Sequence, residues 1–199
     1  MRRKKTNVKK MVLAAVFAAI IIVMTFVPYT GYIQYLPGGI AITTLHIPVM
    51  IAAVFLGWKY GGLIGGIWGC TCVVLAFLNP APGNVPFQNP IISVLPRIVV
   101  GIVTALVFSL ISGKHGGRGR KFLAVVLATL AGTLTNTVLV LTLLHFVGST
   151  GNTDISALFD SIIYTIVGIN GVIELAAAVV IVPAVWLALE RTYRERFDN

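Results

Sequence analysis

Six apolar stretches follow one another along the chain: Val8 to Val27, Thr43 to Leu56, Tyr60 to Leu78, Ile91 to Ile111, Phe122 to Phe146, and Ile155 to Leu189. They are apolar on every helical face and none alternates in period two, so they predict membrane-crossing helices rather than lipid-facing strands. A helical span takes about 20 residues, so a chain of 199 residues is filled by a single integral membrane domain, 1–199. Composition closes off the soluble alternative, with 57% hydrophobic residues, 11% charged residues and a mean hydropathy of +0.95. The expected fold is therefore an all-α membrane protein with six transmembrane helices. The second stretch is short for a span. It is expected either to break at His46-Ile47-Pro48 or to follow a membrane-dipping segment, Leu36 to Ile42.

Positive charge provides an independent test, because cytoplasmic loops collect Lys and Arg. Arg2, Arg3, Lys4, Lys5, Lys9 and Lys10 precede the first stretch, and Lys59 follows the second. Lys114, Arg118, Arg120 and Lys121 follow the fourth, and Arg191, Arg194 and Arg196 follow the sixth. The remaining connections carry no Lys or Arg. This alternation predicts a multi-pass protein with cytoplasmic termini, residues 1–10 being a basic N-terminus and 190–199 a cytoplasmic tail. The net charge of +9 then reflects topology, which leaves a nucleic-acid role for "KHGGRGRK" little to rest on. The first apolar run, Met11 to Val27, is longer than the core of a typical secretory signal, so it is expected to stay as a helix.

Several chemistries find no support. Cys70 and Cys72 lack partner cysteines or ligand-spaced histidines and read as small packing residues, so no metal site is expected. No nucleophile is paired with a base, which argues against an enzyme. No phosphate-cradling loop of the G-x-x-x-x-G-K-[ST] type occurs, and no internal repeat of the kind that builds secondary transporters is apparent. A transport role would thus draw its energy from another protein, and no cofactor is expected on this chain.

Small-residue ridges mark where helices, or a partner, approach closely. The first helix has two registers, Ala14 with Ala18 and Ala15 with Ala19; the third has Gly61, Gly65 and Gly69; the fourth has Gly101, Ala105 and Ser109. Each ridge fits packing within the chain, and one facing outward would serve a partner.

Polar groups inside these runs are the candidate site. An ionisable side chain in a span is costly unless paired or facing a polar cavity, which singles out Arg97 and Glu174. They are candidates for pairing with each other or, for Arg97, for reaching to the outer surface. Asn170 stands four residues before Glu174 on the same helical face, and Asn136 and His46 add an amide and an imidazole from two further helices. Together they offer a cation, an anion and neutral hydrogen-bonding groups, the equipment of a pocket for a small polar metabolite. The outer connections "VPYTGYIQYLPGG" and "LNPAPGNVPFQNP" add prolines and rings, with Tyr35 and Gln88 as candidate substrate contacts and Tyr29, Tyr32 and Phe87 as caps or interface anchors.

The alanine-rich first helix, "TTLHIPVMIAAVFLGWKYGGLIGGIWG", "NPIISVLPRIVVGI", "GTLTNTVLVL" and "INGVIELAAAVVIVP" together resemble the substrate-binding S component of an energy-coupling-factor (ECF) vitamin transporter. The resemblance spans nearly the whole chain. It implies a six-helix protein that captures a vitamin from outside, with its first and third outer loops closing over the site. It also implies docking through an Ala-x-x-x-Ala surface, here Ala14 and Ala18 with Ala15 and Ala19 adjacent, on a transmembrane coupling subunit driven by two ATPase subunits that hydrolyse the ATP. "TLHIP" and the Pro96-Arg97 pair are most similar to the pantothenate group, and an anion bearing an amide and hydroxyls suits Arg97, Asn136 and His46. Riboflavin, folate and cobalamin remain alternatives, as does a self-sufficient secondary transporter with Glu174 as its proton carrier.

Overall fold

The computed structural model describes residues 2–34, 41–81, 84–113, 116–148 and 153–197, with side chains placed over 8–33, 41–81, 84–113, 116–146, 170–193 and at 195. Six α-helices dominate it: α1 Arg2–Phe26, α2 His46–Leu56, α3 Trp58–Leu78, α4 Pro90–Ser112, α5 Arg118–Gly148 and α6 Thr153–Phe197. Two short strands, β1 Tyr32–Gln34 and β2 Ala41–Thr43, form an antiparallel hairpin between α1 and α2. Of the helices, α1, α3, α4, α5 and α6 are long and apolar enough to cross a membrane.

The expectations need two corrections here. The fold is nearly all-helical rather than all-α, because the hairpin replaces the anticipated membrane-dipping stretch over the part of it that is described. The second apolar run passes from strand to helix just before His46-Ile47-Pro48: Thr43 ends β2, and α2 begins at His46 with no break inside it. Pro48 occupies the first turn of α2, where a helix has no use for the missing N–H. At 11 residues α2 is about 16 Å long, well short of a bilayer core of about 30 Å.

Its shortness fits its position. Every residue of α2 except Phe55 is buried, and the helix contacts α1, α3, α4, α5 and α6. The longer helices surround it and expose large apolar side chains such as Val23, Leu63, Leu110, Val138 and Val180, the surface that lipid requires. Gly57, at φ 88°, turns the chain from α2 directly into α3. The far end of α2 is closed by α6, whose Tyr193 hydroxyl donates to the Phe55 carbonyl at 2.6 Å.

The glycine ridge of α3 is spent on α4. A Cβ on Gly61 would sit 2.6 Å from the Gly101 carbonyl oxygen, and one on Gly69 would sit 2.6 Å from Val94 Cα. Between them, a Cβ on Gly65 would collide with the Arg97 carbonyl. The two antiparallel helices therefore meet backbone to backbone at steps of four residues, with Arg97 at the middle contact. Gly65→Val should force them apart and cost about 2 kcal/mol or more, read as a lowered thermal midpoint in detergent. Gly66→Ala is the control: its added carbon would make only an ordinary contact, 3.4 Å from Ile98 Cγ1.

Candidate functional site

Three of the six buried hydroxyl side chains among the described residues, Thr25, Thr104 and Thr129, satisfy themselves within their own helix. Thr104 and Thr129 each donate to the carbonyl four residues back, at 2.8 Å, a bond that needs no partner helix. Against that background the unpaired buried atoms stand out: both ring nitrogens of His46, Nε of Arg97 and Oδ1 of Asn136. Each belongs to a residue singled out by its sequence position. Leaving such a group without a partner costs about 1–3 kcal/mol, more when it is charged.

Arg97 is 5% exposed and its setting follows from the residue before it. Pro96 has no N–H, so the Ile92 carbonyl four residues earlier loses its helical donor. Arg97 Nη1 supplies the missing bond at 2.9 Å. The guanidinium carbon then lies 5.1 Å from the Trp68 ring centre and 5.3 Å from that of Phe87, within range for cation–π attraction to both. Trp68, fully buried on α3, donates its Nε1–H to the Tyr32 hydroxyl on β1 at 3.3 Å. Phe87 is held by its neighbours in a short 3-10 turn, Val85–Gln88: the Gln88 amide donates to the Ala76 carbonyl at 3.1 Å, and Ser93 Oγ donates to the Phe87 carbonyl. Gln88 thus ties the connection to the end of α3, where a direct substrate contact was expected.

Among the described residues no ion pair joins Arg97 to Glu174, although the two interact electrostatically. Glu174 instead accepts the Thr43 N–H at 2.7 Å through Oε1. One turn earlier on α6, Asn170 Nδ2 donates to the Ala41 carbonyl at 3.5 Å. His46 opens α2 three residues after Thr43, and is 1% exposed. Asn136 lies on α5 one turn beyond Thr133, whose hydroxyl reaches Met50 Sδ at 3.9 Å. His46 precedes Met50 by one turn on α2, so the helix registers carry His46 and Asn136 toward the same end of the bundle. The hairpin, the 3-10 turn and the starts of α2 and α4 lie at that end. Tyr35 falls outside the described residues.

The four alanines of α1 divide cleanly. Ala14 is buried within the core cluster and Ala18 is half-buried, whereas Ala15 and Ala19 are exposed. Toward the start of α1 an apolar groove of about 430 Å³ runs between α1 and α6, lined by Val12, Val16, Phe55, Leu189 and Tyr193 among others.

Residues 9–186 match the family described as ECF transporter, substrate-specific component. The chain belongs to that family, and is a multi-pass protein of the bacterial plasma membrane. It is 33% identical to the pantothenic acid transporter PanT of Lactococcus lactis subsp. cremoris over 204 aligned residues, covering 94% of this chain and 97% of the relative. It is also 35% identical to the pantothenate transporter PanT of Leuconostoc mesenteroides over 106 residues, 51% of each chain. The family and both relatives are transporters rather than enzymes.

Proposed function

We propose that the chain is the pantothenate-binding S component of an ECF-type uptake system. One observation carries the substrate class: a buried guanidinium, within cation–π reach of two rings, faces no carboxylate partner within ion-pairing distance among the described residues. A buried cation of that kind is stable when an anion completes it. The pantothenate carboxylate is that anion. Its amide and hydroxyls find complementary groups in Asn136 Oδ1 and the His46 ring, the atoms otherwise left unpaired. The relatives' printed specificity agrees. Riboflavin fits less well, since Trp68 already lends a face to Arg97 and its N–H to Tyr32. A proton-coupled secondary transporter fits less well too, because the Glu174 carboxylate is engaged by the main chain of β2.

In this reading six helices traverse the membrane with both termini cytoplasmic, and α2 is a short span completed by the hairpin. A transmembrane coupling subunit docks on the outward alanine register of α1, Ala15 and Ala19, and two ATPase subunits supply the energy. The chain itself needs no cofactor. The exposure of Ala15 and Ala19 and the neighbouring apolar groove support this docking side.

The direct test is to purify the protein in detergent, identify any co-purifying small molecule by mass spectrometry, and titrate pantothenate, riboflavin, folate and cobalamin calorimetrically. Saturable one-to-one binding of pantothenate alone is the expected result. Tight binding of another vitamin with none of pantothenate would overturn the assignment.

A further inference from the structure

A strand edge in a membrane protein must find partners for its outward N–H and C=O groups. In the hairpin, Tyr32 pairs with Thr43, Ile33 with Ile42 and Gln34 with Ala41. Thr44 turns its N–H toward β1, donating to the Gly31 carbonyl at 3.0 Å. Alternation along the strand then turns the main-chain groups of Ala41 and Thr43 the other way, to the free edge. That edge meets α6. Glu174 takes the Thr43 N–H at 2.7 Å and Asn170 gives to the Ala41 carbonyl at 3.5 Å. The spacings agree: two strand residues advance about 6.8 Å and one helical turn of four residues about 6 Å. An acceptor and a donor on α6 thus face a donor and an acceptor on β2. The other strand is held separately, by the Tyr32–Trp68 bond.

We infer that Asn170 and Glu174 form a latch that holds the β1–β2 hairpin closed over the Arg97 site, setting how long a bound ligand stays. They are positioning residues acting through β2, where the sequence alone had made them substrate contacts. Opening the hairpin breaks the Glu174–Thr43 bond. Since the Glu174 bond is short at 2.7 Å and the Asn170 bond long at 3.5 Å, closure depends more on Glu174 than on Asn170. The inference rests on the binding reading above for its ligand, but the latch itself is a contact within this chain.

The test uses the full chain in nanodiscs. Amide hydrogen exchange at Thr43 is measured without ligand, and pantothenate association and dissociation are followed by stopped flow. Glu174→Met keeps the volume and removes the acceptor; Glu174→Gln keeps an acceptor oxygen. The Met variant should exchange Thr43 about tenfold faster and release pantothenate about tenfold faster, with an association rate close to the parent's. Gln should restore both to within about threefold, and Asn170→Ala should show a smaller effect of the same sign. Unchanged exchange at Thr43 in Glu174→Met, or a Gln variant as impaired in release as Met, overturns the latch. If Glu174→Met does not give a monodisperse protein, Asn170→Ala decides: faster Thr43 exchange together with faster pantothenate release supports the latch, and parent-like values of either overturn it. A parent protein that binds no pantothenate refutes the substrate assignment alone, because the exchange comparison needs no ligand.

Discussion

Arg97→Ala should weaken pantothenate binding by about 30-fold or more, the scale of one or two charge-assisted hydrogen bonds lost from a buried site. The variant has a second defect that must be separated from the first. Arg97 Nη1 satisfies the Ile92 carbonyl that Pro96 leaves open, so removing the side chain orphans a buried acceptor and should cost about 1–3 kcal/mol of stability. Pro96→Ala restores a main-chain N–H at the position that bonds Ile92. The double variant Pro96→Ala/Arg97→Ala should therefore recover most of the lost thermal stability and none of the lost affinity. Arg97→Lys keeps the charge but not the planar fork that lies within reach of the Trp68 and Phe87 rings, and it should bind about tenfold more weakly than the parent. Calorimetric titration beside a thermal melt reads both quantities. Equal affinity with and without the guanidinium would discard its role, and affinity returning in the double variant would show that Arg97 acts through helix geometry.

Of the six polar candidates whose side chains are described, His46, Arg97, Asn136, Asn170 and Glu174 are buried and Gln88, in an outer connection, is half-buried; the five inside helices were legible because of what they cost. An ionisable or amide group in an apolar helix is an exception that the surrounding residues cannot explain. What each one does was less legible. Arg97, Asn136 and His46 keep unpaired atoms, whereas Asn170 and Glu174 turn to a strand that was not expected. Three-residue strands carry too little alternation to register against a helical background, and a main-chain N–H has no letter in the sequence. The proline in "LHIP" marked a change in the helix without saying on which side of it the helix lay. Pro at the first turn and Pro at a break look alike until the chain before it is placed.

The glycine ridge was ambiguous for a different reason. Small residues four apart permit close approach but do not name the partner, and here Gly61, Gly65 and Gly69 serve α4 within the chain. The missing signal lay in the register of the facing helix: Gly101, Arg97 and Ser93 fall at the same step of four, running the opposite way. Arg97 belongs at once to the ridge contact through its carbonyl and to the site through its side chain. Close packing of α3 on α4 and placement of the cation over Trp68 are thus one structural event. A change that spreads the helices should cost affinity as well as stability.

The same ambiguity in α1 resolves outward, and it sets the second large effect. Ala15→Trp or Ala19→Trp should abolish assembly with the coupling subunit and uptake by the complete transporter, while pantothenate affinity of the isolated chain stays within about twofold of the parent, as for substitutions that leave the folded core untouched. Both alanines are exposed beside Met11, Val12 and Ile22, which are exposed as well, so they form a shallow channel between larger side chains along the open face of α1. A partner helix that enters such a channel gains its energy from backbone proximity, because lipid already solvates apolar side chains as well as protein does. An indole fills the channel and removes that proximity without touching the bundle. Ala14→Trp should behave in the opposite way: Ala14 is 6% exposed against the core cluster, so overpacking there should lower stability by about 1–3 kcal/mol before any question of assembly arises. Co-purification with the coupling subunit, vitamin uptake into proteoliposomes and calorimetry on the isolated chain together distinguish the two registers. Normal assembly of the Ala15 and Ala19 variants would move the docking face off this side of α1.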